Sequence, residues 1–258
     1  MNFIKMHGLG NDFVILDART APLDLSDERI SQICDRKHGV GCDQLIVMEP
    51  RQNEGADLFM RIYNPDASEA EACGNATRCV AHLYMIERAA QACVIETRAG
   101  LLHATLTGDH EVEIDMGAPA QIDDVDQGFA GYNNPVTVNM GNPHAVFFVD
   151  DLSAVDLETT GPQIETNPYF PNRTNVEFVQ VLDKAHLRMR VWERSAGITQ
   201  ACGSGACAVM AAAASRGLSD DTMTLTLDGG DMTMTQTSDG HILMRGAVAY
   251  VFEGRLTN

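Results

Sequence analysis

The chain repeats itself. Displaced by 129 residues, half its length, LFMRIYNPDASEAEACGN at 58–75 falls without a gap on LRMRVWERSAGITQACGS at 187–204. Leu58, Met60, Arg61, Ala67, Ala72, Cys73 and Gly74 meet identical residues, while Ile62 and Tyr63 meet Val191 and Trp192. A displacement of 131 sets Gly10-Asn11 on Gly141-Asn142 and Gln44 on Asn175. Turn residues recurring within one ordinary domain are the competing explanation. Duplication of one folding unit accounts for more of the pattern, because apolar periodicity recurs with it.

Strand-like runs near 12–17, 44–49 and 58–63 precede a periodic helix from about 75 to 90. The second half repeats that order with runs near 144–149, 176–182 and 186–192, then a helix over about 204–215 that Gly217 terminates. GACAVMAAAA at 205–214 holds no charge, and its alanines favour helix while presenting apolar surface in every direction, so this helix belongs inside. TMTLTLDGGDMTMTQT alternates threonine with apolar residues and reads as two strands turning at Gly229 and Gly230. The expected fold is α/β: two similar, pseudo-symmetric domains, each a barrel-like, mostly antiparallel sheet around a central helix, with the active site in the cleft between them. Gly117, Pro119 and the polar DDVDQGFAGYNNP stretch mark 117–135 as the connection. The first domain then covers 1–118, completed by a last strand over 247–258, and the second covers 119–246.

With 258 residues and 45% hydrophobic content the chain can bury such cores. A formal charge of −18 disfavours nucleic acid and anionic membranes as partners. The first residues lack the apolar region and cleavage site of a secretory signal, and no run of 18 apolar residues could cross a bilayer. A cytoplasmic location is the expectation.

Seven cysteines, an odd number, do not form a dense disulfide framework. Cys73 and Cys202 stand at the two matched helix starts, where unpaired backbone N–H groups and the helix dipole favour a thiolate over a thiol of ordinary pKa about 8.5. Gly74, Gly203 and Gly205 allow a sharp turn and close approach of backbone to a ligand. Both starts suit an anion such as a carboxylate. If both face one cleft, the two sulfurs flank the α-carbon of a bound amino acid. One thiolate then removes the α-proton while the other thiol supplies a proton from the opposite side, and backbone donors stabilise the charge that moves onto the carboxylate. The pair must share one active proton.

Metal binding is a weaker reading. On a continuous helix Cys73 and Cys79 are rotated by about 600° and Cys202 and Cys207 by about 500°, so neither pair converges. Cys34, Cys42, Cys79, Cys93 and Cys207 read as core residues. GLGND at 8–12 is neither a full dinucleotide fingerprint nor a Walker loop, and none of Lys5, Lys37 and Lys184 sits in a stretch that demands a Schiff base. No metal and no organic cofactor is expected.

Asn64 and Glu193-Arg194 end corresponding strand-like runs shortly before the cysteines. Arg194 offers planar donors to a carboxylate, Glu193 accepts from an ammonium, and Asn64 serves either group. Asn11, Gln44, Asn142 and Asn175 lie at strand ends and supply both donors and acceptors; each alone suits a turn or cap, but their duplicated placement points to one pocket. His144 is a candidate to orient substrate or carry a proton, or a satisfied core histidine. His7 and His82 have weaker cases.

The segments FIKMHGLGNDFV, GCDQL, YNPDASEAEACGNATRC, NMGNPHAV, RTNVEF and WERSAGITQACGSGACA resemble the diaminopimelate epimerase family over most of the chain. The resemblance implies an isomerase that interconverts LL- and meso-2,6-diaminopimelate without a cofactor, in lysine biosynthesis. It implies Cys73 and Cys202 as the two bases, with Glu193 and His144 around the reacting centre. Asn64, Asn142, Asn175 and Arg194 fall on substrate-recognising positions, chiefly for the distal end, with Asn11 and Gln44 lining the pocket; Gly74-Asn75 and Gly203-Ser204 fall on the carboxylate-binding helix starts. A homodimer is implied as well. Ala67, Ala76, Ser195 and Ile198 depart from the commonest family pattern without removing an acid or base.

Three other functions remain open to the residues. A proline or hydroxyproline epimerase could use a similar cysteine pair but has no need of a distal-carboxylate role for Arg194. A cysteine hydrolase would trap a thioester, yet gives no reason for a second matched thiol. An amino-acid-binding protein would hold a zwitterion without exchanging its α-proton.

Overall fold

The computed structural model describes residues 1–256, and the chain divides into two compact units. One comprises Met1–Ile114 and the chain from Gly246 onward; the other is Asp115–Arg245.

The first unit runs β1 (Asn2–Gly8), β2 (Asn11–Asp17), α1 (Asp27–Cys34), β3 (Gln44–Glu49), β4 (Leu58–Tyr63), the short β5 (Glu69–Ala70), α2 (Gly74–Arg88), β6 (Ala92–Thr97), β7 (Gly100–Gly108) and β8 (Glu111–Asp115). Strand β1 pairs antiparallel with β2, and β2 pairs parallel with β3 across the α1 crossover. Strand β3 pairs antiparallel with β4, and β4 runs parallel to β6 across the α2 crossover.

The second unit runs β9 (Gln121–Asp124), β10 (Gly128–Phe129), β11 (Tyr132–Asn133), β12 (Val136–Asn139), β13 (Pro143–Phe148), α3 (Leu157–Glu165), β14 (Asn175–Asp183), β15 (His186–Glu193), β16 (Gly197–Ile198), α4 (Gly203–Ser215), β17 (Thr222–Leu227), β18 (Gly230–Gln236) and β19 (Ile242–Ala247). Its pairing rule is the same: β12 antiparallel to β13, β13 parallel to β14 across α3, β14 antiparallel to β15, and β15 parallel to β17 across α4. The sequence repeat is therefore a repeat of topology. The last strand, β20 (Ala249–Arg255), returns to pair antiparallel with β1.

Each unit wraps strands around one helix. Helix α4 is buried from Gly205 to Ala213 and packs on β12, β13, β14 and β18. Its alanines give helix propensity and a narrow cylinder that neighbouring strands approach closely. Helix α2 packs on β1, β2, β6 and β7 but carries a buried polar set, Asn75, Thr77, Arg78 and His82. His82 is satisfied by the Asp109 carbonyl at 2.8 Å. Gly217, at φ +66, follows α4 in the left-handed conformation that ends a helix.

The structure differs from the sequence reading at 117–135. That segment threads into the second unit: β9 pairs antiparallel with β12, and β10 and β11 form a hairpin that buries Phe129 among Phe147, Leu157 and Phe170. One aromatic in a polar stretch is too little periodicity to reveal an anchored hairpin. Helices α1 and α3 are not among the elements that the periodicity predicts. The first is only eight residues long, capped by the Ser26 hydroxyl accepting from the Arg29 amide. The second contains Gly161 and Pro162, both poor helix formers. Gly161 is required there, since a Cβ would come within 2.5–2.7 Å of the Trp192 side chain.

Candidate active site

In the first unit, β4 leads through the Asn64 turn and β5 to Cys73, the N-cap residue of α2. Its extended backbone (φ −151°, ψ 107°) turns the chain into the helix, and its half-buried side chain makes no capping bond to the helix amides. The Cys73 thiol lies 3.8 Å from Asn11 Oδ1, which also accepts from Asn75 Nδ2 at 3.1 Å. Arg78 Nη2, fully buried, donates to Asn75 Oδ1 at 2.9 Å. Gln44 Nε2 donates to Asn64 Oδ1 at 3.0 Å. Asn11, Cys73, Gly74 and Asn75 thus share one helix start, and Gln44 and Asn64 form a second pair on neighbouring strand ends.

Asn11 is held from behind. Its Nδ2 donates to Asp43 Oδ2 at 3.0 Å, and Arg36 bridges Asp43 to Asp12. The buried Lys5 ammonium pairs with Asp12 and the Gly41 carbonyl. That pairing gives Lys5 a structural role. Burial opposes ionisation of Asp12, but the Arg36 and Lys5 cations outweigh it and hold the carboxyl well below the usual range. Stability from this group is therefore complete above pH 3.8, its unfolded value, and is lost as pH falls further. Asp12→Asn is expected to cost about 3 kcal/mol at pH 7, as for breaking a buried pair. The deficit against the parent should shrink below pH 3.8 in urea titrations run at several pH values.

In the second unit Cys202 is the N-cap of α4 and is buried. Its sulfur accepts the Gly205 amide at 3.4 Å and lies 3.7 Å from the Ser204 hydroxyl. Asn142 Nδ2 donates to Ser204 Oγ at 3.2 Å, and Asn142 Oδ1 lies 2.9 Å from His144 Nε2. Thr199 donates to Glu193. Asn175 joins the loop to the strand: its Nδ2 donates to the Pro143 carbonyl and its Oδ1 accepts the Arg194 amide, both at 2.9 Å. His144, Asn142, Ser204 and Cys202 thus form one line of contacts at the start of α4, with Gly203 in the helix's first turn and Asn175 and Glu193 on the strands β14 and β15.

Arg194 is exposed, with Nη1 donating to the Asn172 carbonyl at 3.2 Å. It lines an open cavity with Asn142, Tyr169, Asn172 and Arg173. Two guanidinium groups and two amides suit a carboxylate-bearing ligand end.

Electrostatics correct the expectation that a helix start lowers the thiol pKa. Burial pushes the Cys202 thiol well above its ordinary range, and the Glu193 and Glu177 carboxylates push the same way. The Gly205 amide and Ser204 hydroxyl pull back without prevailing. Burial also raises Glu193, aided by the charge of Glu177 and opposed by the hydrogen bonds from Thr199 and Cys202. Both groups are thereby shifted toward their protonated forms. The remaining cysteines are buried; desolvation pushes Cys79 and Cys93 up to about 12. Among the described residues no three His, Cys, Asp or Glu side chains converge as a metal cluster.

Sequence reasoning missed Glu177, whose carboxylate is fully buried with Oε1 2.7 Å from His144 Nδ1. The available signal was an acid inside the apolar run NVEFVQV of β14. It also missed Glu165, 4% exposed, which accepts from Trp192 Nε1 at 2.7 Å and the Ser195 amide at 3.0 Å and so anchors the turn that carries Arg194. Ala67 and Ser195 occupy left-handed backbone (φ 65° each) in the turns after Asn64 and Glu193, where glycine is the unstrained choice.

The family model described as diaminopimelate epimerase matches residues 3–122 and 136–251. A diaminopimelate epimerase of Rhodospirillum centenum is 51% identical over 99% of this chain and 92% of its own length. One of Acidiphilium cryptum is 49% identical over 98% and 95%. Among solved structures, a PhzF-family phenazine biosynthesis protein of Bacillus anthracis superposes with a TM-score of 0.75 at 18% identity, covering 100% of this chain and 99% of that one. A probable proline racemase of Agrobacterium radiobacter gives 0.71 at 15% identity over 99% and 92%. These two likenesses establish the fold.

Proposed function

The chain belongs to the diaminopimelate epimerase family, and from that premise we propose that it interconverts LL- and meso-2,6-diaminopimelate, with Cys73 and Cys202 exchanging protons with one α-carbon from opposite sides. The observation that carries this reading is the duplication of a cysteine N-cap on a buried helix, with amide side chains at both starts.

Each helix start presents backbone N–H groups to an anion. A substrate carboxylate bound there accepts hydrogen bonds that strengthen as the α-carbon takes on carbanion character, so the donors act most on the transition state. In one direction the Cys73 thiolate removes the α-proton and the Cys202 thiol delivers its own. In the other direction Cys202 must first be a thiolate. We assign its proton to Glu193, whose charge acts on Cys202 and which burial itself raises toward neutrality. Arg194, with Asn142 beside it in the open cavity, holds the distal amino-acid end.

This reading places the enzyme in the cytoplasm in lysine biosynthesis, as a homodimer acting without metal or organic cofactor. Among the described residues no helix is long and apolar enough to cross a membrane. Purified, reduced protein treated with chelator and given LL-diaminopimelate should form the meso isomer until meso exceeds LL at equilibrium by chiral chromatography, since LL offers two equivalent centres for inversion and meso one. Turnover of proline or hydroxyproline in place of diaminopimelate would defeat the reading.

A further inference from the structure

Glu177 projects from β14 into the second half-site without reaching its surface. Its side chain and that of His144 are both fully buried. One carboxylate oxygen, Oε1, lies 2.7 Å from His144 Nδ1; the other, Oε2, is buried with no hydrogen-bond partner. Such a carboxylate is costly, since a desolvated charged group left half satisfied loses hydration without full compensation. The fold makes room for it nonetheless. A Cβ on Gly205 would come within 2.8 Å of Oε1, so glycine in the first turn of α4 is what admits the carboxylate.

From His144 the contacts continue in one line. Nε2 meets the Asn142 amide at 2.9 Å, Asn142 meets Ser204 Oγ at 3.2 Å, and Ser204 Oγ meets Cys202 Sγ at 3.7 Å. An ionised carboxylate is an acceptor only, so the hydrogen between Glu177 and His144 belongs to Nδ1. Nε2 is then the ring nitrogen left to face Asn142. As a donor it takes Asn142 Oδ1, which turns the amide N–H groups toward Ser204. As an acceptor it takes Nδ2, which turns the amide oxygen toward Ser204. The Ser204 hydroxyl must follow, donating toward Cys202 in the first arrangement and toward Asn142 in the second.

We propose that Glu177 is a positioning residue that locks His144 in the Nδ1–H form, so that the state of Nε2 alone sets the hydrogen-bond polarity of the Asn142–Ser204 line ending at Cys202. The inference deepens the epimerase reading and rests on it for its catalytic consequence, whereas the lock is a property of the resting protein. Glu193, the other carboxylate near Cys202, accepts from Thr199 rather than from the imidazole.

The test is a ¹⁵N-histidine NMR comparison of the full-length parent and Glu177→Gln, with the His144 signals assigned by their loss in His144→Gln. The parent should keep hydrogen on Nδ1 from pH 6 to 9, with any change confined to Nε2. Glutamine fills the same space but can donate its amide N–H to Nδ1, so the variant should populate the opposite tautomer. Its kcat for diaminopimelate should fall roughly 10–100-fold, as when an orienting partner of a site residue is lost, with KM changed by less than about threefold. An unprotonated Nδ1 in the parent at neutral pH overturns the proposal whether or not the variant folds. So does an unchanged tautomer in a variant that has lost activity, which would mark Glu177 as merely structural. If the parent fails to turn over diaminopimelate, the epimerase reading fails while the NMR result still decides the lock.

Discussion

Cys202→Ala and Cys73→Ala should each lower kcat by about 10²–10⁴-fold, the range of a general acid or base, while diaminopimelate still binds. Either loss should suffice, because inversion needs an acceptor on one side of the carbon and a donor on the other. The two half-sites differ in how they hold their proton. Cys202 is buried, and two carboxylates oppose its ionisation. Cys73 is half-buried at a helix start next to Asn11 and Asn75, with the buried Arg78 behind them. Steady-state rates in both directions, with binding followed by calorimetry, check the prediction. Turnover by either variant within threefold of the parent would remove that cysteine from the chemistry.

Gly205→Ala should be nearly as damaging to activity and should also weaken the fold. Its Cβ would stand 2.8 Å from Glu177 Oε1 and 3.3 Å from Cys202 Sγ. Both neighbours must give, and each is tied to the site, Glu177 Oε1 by its contact with His144 and Cys202 as the N-cap. Overpacking of this kind costs about 1–3 kcal/mol. The movement that relieves it would displace the His144 contact or the sulfur, so kcat should drop about 10²-fold, as for a misplacement near 1 Å. Urea unfolding and kcat measured on the same preparation separate the two effects. A variant with normal stability and normal rate would show that the carboxylate does not need the space glycine leaves.

Much of this was legible in the residues. The strands β2, β3, β4, β13, β14 and β15 and the two central helices follow from apolar periodicity and from the uncharged GACAVMAAAA run, and the hairpin at Gly229-Gly230 from its threonine alternation. The two helix-start cysteines stand out because the repeat places them in register. What stayed hidden depends on contacts distant in sequence. Helix α1 is too short to establish a period, and α3 tolerates Gly161 and Pro162 because Trp192 takes the space beside the glycine. Glu177 and Glu165 looked like ordinary acids until burial and their partners, His144 and Trp192, became visible. The raised thiol of Cys202 escapes local reading for the same reason: a helix start argues locally for a thiolate, whereas desolvation and the two nearby carboxylates are set by the folded unit.

The most direct measurement is epimerisation of LL-diaminopimelate in D₂O, with product and recovered substrate each analysed by mass and stereochemistry during the first few per cent of turnover. Two sulfurs working on opposite faces should give meso product carrying one solvent deuterium at the inverted carbon while the remaining LL substrate stays unlabelled. Deuterium entering recovered LL substrate as fast as it enters product would mean that a single base serves both faces, and would contradict the account.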